Sequence, residues 1–291
     1  MSAVLTIDNL HVAIGTTNVL RGVSLTVEAG EVRGLVGESG AGKSMLGRTL
    51  FGLLPANATV RAGRITFEGR DLLRLPDQER LSLLGRRIAL IPQDPMTSLN
   101  PVRRVGAQLT AVLRRHLGLS KRAALNRAAE LLADVAIREP ARVLDLYPHE
   151  MSGGMRQRVL IAIAFACDPA LVIADEPTTA LDVTVQRQVL QLVERLRLRH
   201  AAAILFVTHD LGVVAKICRS MSVLHAGRVL EEGLTADVLT KPHHAYTRAL
   251  LAATPRADRP AEALKPVPTV LIEGLWAEAH RLDRLPSMRP A

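Results

Sequence analysis

Aromatic side chains make up only 2% of the 291 residues. That leaves too few rings for a base-stacking platform and argues against nucleic acid as a partner. Cysteine is nearly as scarce. Cys167 and Cys218 lie far apart inside apolar segments, which offers neither a disulfide framework nor a metal-ligand cluster and reads as two buried small hydrophobes. Long hydrophobic runs are missing as well. The longest, Val159 to Cys167, is nine residues, whereas a bilayer span takes about 20, so no segment is expected to cross a membrane. The N-terminal MSAVLTIDNL carries Asp8 and no basic cluster ahead of an apolar stretch. It lacks the parts of a secretory signal, and the cytosol is the expected compartment.

What is present is a chain with 48% hydrophobic residues, enough to bury one large core or two modest ones, which excludes disorder. The net charge of +9 is spread along the whole sequence rather than clustered. It reads as a solvated surface, favourable beside acidic lipid headgroups.

The opening stretches VLTIDNLHVAI and VLRGVSLTVEAG alternate at strand length, with turns near Gly15 and Gly30, and predict a small antiparallel sheet. Val32 to Val36 predicts a short buried strand running into GESGAGKS and then a helix over Met45 to Leu53. A β-rich piece follows in AGRITFEGRDLL, and another strand in RRIALIPQDP. From about Gly106 to Pro148, Leu, Ala and Arg recur at helical spacing, the mark of a helical subdomain inserted into an α/β core. Beyond Ser152, helices alternate with the strands ALVIADE, AAILFVTHD and RSMSVLHAGRVLEEG, which predicts a parallel sheet. Arg256 to Ala291 holds five of the sixteen prolines and little periodicity, and reads as a tail or small appendage.

Gly37-Glu38-Ser39-Gly40-Ala41-Gly42-Lys43-Ser44 fits GxxxxGK[ST] and lies where that pattern must, between a strand and a helix. Successive backbone N–H groups, held open by residues without side chains, can point at phosphate oxygens, and the following helix adds its positive end. Lys43 is placed to reach the β and γ phosphates and the Ser44 hydroxyl to ligate Mg²⁺. LVIADE is a buried strand ending in two carboxylates, where α/β sheets place their ligands. Asp175 suits Mg²⁺. Glu176, expected to point elsewhere because strand neighbours alternate, suits a general base for water. Alone, such a pair is as easily a helix cap or a solvated turn.

With these residues in view the chain resembles the ATP-binding cassette family over residues 4 to 255. Ser152-Gly153-Gly154, in MSGGMRQR, resembles the family signature at the start of a helix from about Met155; on its own it would read as an N-cap. The resemblance implies that this second anion site closes on the γ phosphate bound by another chain, so that the protein dimerises to hydrolyse ATP. Gln93 in IPQDP is similar to the glutamine that contacts Mg²⁺ and the attacking water. Thr179-Ala180-Leu181-Asp182 resembles the loop that crosses the dimer interface, and His209 in FVTHD the histidine that holds the γ phosphate and positions Glu176. The implied fold is a P-loop NTPase core with a parallel sheet, an N-terminal antiparallel β subdomain and an inserted α-helical subdomain. The implied domains are a nucleotide-binding domain over 1–255, its helical insertion at about 106–150, and a short tail over 256–291.

QDPMTSLNP, YPHEMSGGMRQRV, DEPTTALDVTVQ and PHHAYTRALLAATP all resemble the ATPases of oligopeptide and dipeptide importers; nickel, glutathione and some sugar importers use similar subunits. Such a subunit works with ATP and Mg²⁺ on the cytoplasmic side of the bacterial inner membrane, peripherally. Its partners are a second ATPase subunit, the same chain or a different one, two transmembrane permease subunits and, indirectly, an extracytoplasmic substrate-binding protein. Two departures stand out. Ile14 occupies the position where the family carries an aromatic residue against adenine. Arg256 to Ala291 has no cysteine, so the iron–sulfur cluster of many relatives is not expected. The long coiled coils of DNA-repair relatives and the paired cassettes of ribosome-acting ones are absent, which sets aside a soluble ATPase of either kind. Glu176 and His209 argue against a nucleotide sensor without turnover, and the importer wording argues against export.

Overall fold

The alternation at the N-terminus closes into a sheet. In the computed structural model, which describes residues 2–179, 182–254 and 265–284, the chain forms two compact units, one of Met1–Leu75 with Leu205–Ala291 and one of Pro76–Ile204.

The first unit begins with β1 (Ala3–Ile14), β2 (Thr17–Glu28), β3 (Val32–Val36), α1 (Lys43–Phe51), β4 (Ala58–Phe67) and the short β5 (Arg70–Asp71). β1 pairs antiparallel with both β2 and β4, giving the order β2-β1-β4-β5. Leu5 and Ile7 are buried at a period of two, the register shifts between Ile7 and Leu10, and Leu10 and Val12 are then buried in turn, as are Leu20, Val23, Leu25, Val27, Ile65 and Phe67 of the neighbouring strands. This is the antiparallel subdomain the sequence predicts.

The second unit carries α2 (Asp77–Leu83), β6 (Ile88–Ile91), α3 (Pro95–Ser98), α4 (Val105–Leu117), α5 (Lys121–Asp134), α6 (Pro140–Asp145), α7 (Gly153–Phe165), β7 (Leu171–Asp175) and α8 (Val183–His200). Helices α4 to α6 are the predicted helical insertion. α4 ends at Gly118, whose left-handed φ of 66° stops it, and the Ser120 hydroxyl accepts from the Ala123 amide to start α5. Leu109 and Leu113 of α4 bury with Ala124, Ala128, Leu131 and Leu132 of α5 and Val143 of α6. The i, i+4 spacing of these apolar residues is what makes the stretch helical.

β8 (Ala203–Thr208) straddles the boundary at residues 204 and 205. The chain then returns to the first unit with α9 (Leu211–Ile217), β9 (Ser220–His225), β10 (Arg228–Leu234), α10 (Thr235–Thr240), α11 (Ala245–Ala253) and α12 (Thr269–Leu282). In the first unit the strand order is β10-β9-β3-β8, with β3 parallel to β9; in the second it is β8-β7-β6, with β6 parallel to β7. Leu35, Val36, Val172, Ile173, Ala203 and Leu205 are all fully buried, the near-continuous apolar run of parallel strands covered on both faces.

Four expectations change. RSMSVLHAGRVLEEG is two antiparallel strands, because Ala226 and Gly227, at φ of 47° and 75°, turn the chain back between them. α7 begins at Gly153 rather than Met155, and α1 spans Lys43–Phe51 rather than residues 45 to 53. The region past Arg256, expected to lack periodicity, contains α12; its far residues, 285–291, and residues 256–264 lie outside those described.

Candidate functional site

In the first unit, β3 delivers the chain into the glycine-rich loop, and neighbouring backbone shapes it. A Cβ on Gly37 would lie 2.2 Å from the Leu224 carbonyl oxygen of β9, so only glycine fits there. Gly40 and Gly42 take φ of 81° and 107°, which L side chains rarely adopt. α1 starts at Lys43, and the loop folds back over its ammonium: Nζ donates to the carbonyls of Gly37 at 2.8 Å and Glu38 at 3.0 Å. Lys43 is thus buried yet satisfied. Ser44, half-buried, is the next residue of the same first turn.

The β9–β10 turn braces this loop from behind. The Gly227 amide donates to the Ala41 carbonyl at 2.9 Å, and the Gly227 carbonyl accepts from the Arg21 amide at 2.8 Å. A Cβ on Gly227 would stand 2.0 Å from the Val19 carbonyl oxygen. Gly227→Ala therefore combines a left-handed backbone penalty of about 1–3 kcal/mol with a backbone clash. The expected outcome is a lower urea midpoint and weaker ATP binding together; an unchanged midpoint would show that the turn is not a tight brace.

Arg21 fixes the same turn by another route. Its buried guanidinium donates through Nη1 to the Ala226 carbonyl at 2.8 Å, through Nε to both Asp283 oxygens at 3.1 Å, and lies 5.6 Å from the Trp276 ring centroid. Asn18 donates to Asp283 at 2.7 Å. α12 is therefore anchored beside the hairpin that follows Ile14, the last residue of β1. Nothing in the periodicity of the sequence pointed to Asp283 or Trp276, since each acts across more than 200 residues. His209, also in this unit, is exposed just beyond β8, and Asp210 beside it caps α9 by accepting from the Gly212 and Val213 amides.

In the second unit, β7 ends at Asp175, half-buried, and Glu176 turns left-handed at φ 45°. Glu176 thus lies past the end of the strand, where the alternation expected from the sequence does not apply; a non-glycine residue held in this conformation is strain of the kind found at functional sites. The Glu176 carboxylate accepts at one oxygen from Gln93 Nε2 at 3.1 Å and Thr179 Oγ1 at 3.0 Å. Gln93, exposed two residues after β6, and Glu176 are thus brought together, and Thr179 joins them.

Ser152 caps α7, its hydroxyl accepting from the Met155 amide at 3.2 Å. A Cβ on Gly153 would meet nothing within 4 Å, and one on Gly154 only Val185, at 3.4 Å. The opening of this 13-residue helix therefore presents bare backbone to an anion. Asp182 caps α8 by accepting from the Val185 amide at 2.9 Å; Ala180 and Leu181 of the predicted interface loop lie outside the described residues. The cysteines behave as expected. Burial, the leading cause for both, pushes the Cys167 thiol up to about 11 and the Cys218 thiol up to about 12, which keeps them protonated and inert.

Each unit, taken by itself, holds donors of the kind Mg²⁺ takes: the Ser44 hydroxyl in the first, the Asp175 carboxylate and the Gln93 amide in the second. These are the hard oxygen ligands that ion prefers.

A family model described as ABC transporter matches residues 20–179, and one described as oligopeptide/dipeptide transporter, C-terminal region, matches residues 230–273. The dipeptide transport ATP-binding protein DppD of Bacillus subtilis is 45% identical over 272 residues, covering 92% of this chain and 81% of that protein. The oligopeptide transport ATP-binding protein OppD of Salmonella typhimurium is 45% identical over 271 residues, with 92% and 81% covered. Among solved structures, a dimeric post-hydrolysis state of the ATP-binding cassette MJ0796 bound to ADP and phosphate superposes with a TM-score of 0.70 at 26% identity, covering 79% of this chain and 98% of that one.

Proposed function

Because the chain belongs to the ABC transporter family and is an ATPase whose hydrolysis is coupled to transport, we propose that it drives an importer of di- and oligopeptides. The supporting observation is the pairing of a phosphate-loop cassette with a C-terminal region shared by peptide transporters. We assign residues 1–255 to the nucleotide-binding domain, with its helical insertion at about 106–150, and 256–291 to a C-terminal segment. No described helix is long and apolar enough to cross a membrane. The reading therefore supplies two transmembrane permease subunits and an extracytoplasmic binding protein as partners, with this chain peripheral on the cytoplasmic side.

In this reading the amides of Gly37 to Ser44 cradle the ATP phosphates and Lys43 neutralises their charge. Ser44, Gln93 and Asp175 would hold Mg²⁺, which would offset phosphate charge there. Glu176, aimed by Gln93 and Thr179, takes the proton of the attacking water. His209 hydrogen-bonds the γ phosphate. Ser152, Gly153 and Gly154 close on the γ phosphate of a nucleotide held by the second subunit, with Asp182 at that interface, so each ATP is shared between two chains. Hydrolysis removes the group that bridges them, and the pair reopens.

The test is hydrolysis by the purified chain against its concentration. A rate rising faster than linearly supports dimerisation of this chain with itself. ATP binding without turnover points to a different second subunit, and a strictly linear rate overturns the shared-nucleotide mechanism. For the substrate, loss of the gene is expected to abolish uptake of a labelled tripeptide by the host cell; undiminished uptake overturns the peptide assignment.

A further inference from the structure

One residue of the phosphate loop is chemically out of place. Glu38 puts a carboxylate into a loop built to receive polyanions, where like charges repel. The described structure shows where that carboxylate goes: Glu38 Oε2 accepts a hydrogen bond at 3.0 Å from the Tyr246 hydroxyl, 208 residues away on α11. We propose that Tyr246 is a positioning residue for nucleotide binding, which draws the Glu38 carboxylate out of the phosphate space and sets the Glu38 carbonyl that holds Lys43. The proposal rests on the reading of Gly37–Ser44 as the phosphate site and gives a role to the PHHAYTRALL segment, which the mechanism above leaves unused.

The contact is built rather than incidental. Tyr246 is fully buried, and burial, with the Glu38 carboxylate beside it, pushes its phenol pKa well up, so the hydroxyl stays protonated and donates. Its ring packs 4.4 Å from the His225 ring, which in turn meets Trp276 at 6.0 Å. His225 is buried, and neither of its ring nitrogens has a hydrogen-bond partner among the described residues. Burial lowers its pKa against the opposing pull of Glu38, so it serves as a neutral wall behind the tyrosine. α11 is aimed by Glu231 of β10, whose two oxygens accept the amides of His243 at 2.7 Å and His244 at 3.0 Å, and by His244 Nδ1, which accepts from the Tyr246 amide at 3.1 Å.

At its other end Glu38 is tied into the loop itself. Its carbonyl accepts from Lys43 Nζ at 3.0 Å and from the Ala41 amide at 3.2 Å. Side chain and carbonyl belong to one residue, so the Tyr246 hydrogen bond fixes both the direction of the carboxylate and the acceptor under the lysine. Without the hydroxyl, the carboxylate, on a half-exposed side chain, is free to swing toward the incoming phosphates and toward Lys43, competing with ATP for the cation.

The experiment measures equilibrium ATP binding by the full chain, read with a fluorescent ATP analogue displaced by ATP. Tyr246→Phe keeps the ring on His225 and removes one oxygen. It is expected to weaken ATP binding about tenfold, the size of one lost hydrogen bond to a charged group. In a Glu38→Gln background, where there is no charge to restrain, the same change is expected to alter binding less than twofold. A tenfold loss in both backgrounds, or in neither, overturns the proposal. If Tyr246→Phe does not fold, Glu38→Asp, which shortens the side chain out of reach of the hydroxyl, is expected to bind ATP more weakly than Glu38→Gln, and equal binding overturns the proposal. Lys43→Ala separates the two levels: if it binds ATP like the parent, the phosphate-site reading itself has failed.

Discussion

Glu176→Gln is expected to reduce ATP hydrolysis by about 10²- to 10⁴-fold, the contribution of a positioned general base, while ATP remains bound and holds two subunits closed. The substitution is close to isosteric, and its amide oxygen can still accept the hydrogen bonds that Gln93 and Thr179 donate at 3.1 and 3.0 Å. The left-handed backbone at residue 176 is no harder for Gln than for Glu, since neither is glycine. What is lost is basicity alone: an amide cannot take a proton from water. The measurements are steady-state phosphate release and the elution volume of the ATP-incubated protein on a sizing column. Hydrolysis at the parental rate would remove Glu176 from the mechanism.

The second large effect is expected at Lys43. Its ammonium is buried and held by two loop carbonyls, from Gly37 and Glu38, at 2.8 and 3.0 Å. Lys43→Ala removes the cation proposed to meet the phosphates, takes this donor from the Gly37 carbonyl and leaves the Glu38 carbonyl with the Ala41 amide. Hydrogen bonds to charged groups contribute about 1.5–3 kcal/mol each, and 1.4 kcal/mol is a factor of about ten, so losing two such bonds to phosphate weakens ATP by a hundredfold or more. Lys43→Arg keeps the charge, but its planar fork does not reproduce a compact ammonium inside the loop, and it is expected to rescue only part of the loss. Equilibrium binding of ATP to the three proteins decides this; equal affinity for Lys43→Ala and the parent would contradict the role.

Much of this was legible from residues alone because its signals are local. The strand Val32–Val36 falls where its apolar run predicts, and the glycine pattern ahead of Lys43 could be read without neighbours. Gln93 and Glu176 were each singled out, but the hydrogen bond between them was not. What escaped was decided by distant partners. The turn at Ala226 and Gly227 carries one glycine within a stretch rich in strand-forming residues on both sides, so one strand was expected where two occur. Glu176 departs from strand geometry by a backbone angle that no periodicity encodes. α12 was hidden by the prolines on either side of it, at 266, 268 and 286. Ser152 shows the opposite lesson: it does cap a helix, the blander reading, and Asp182 also caps one, a role not expected of it from the sequence.

The close fit between the β9–β10 turn and the phosphate loop makes chain length there a fixed quantity. Side chains along a strand alternate, so one inserted residue would turn β10 over. Glu231 would then face away from the amides of His243 and His244 that it now receives. The Gly227 amide would be carried off the Ala41 carbonyl in the same step. Libraries that graft tags or reporter loops into this protein should therefore find the hairpin tip, although it is a turn, among the least permissive places for an insertion.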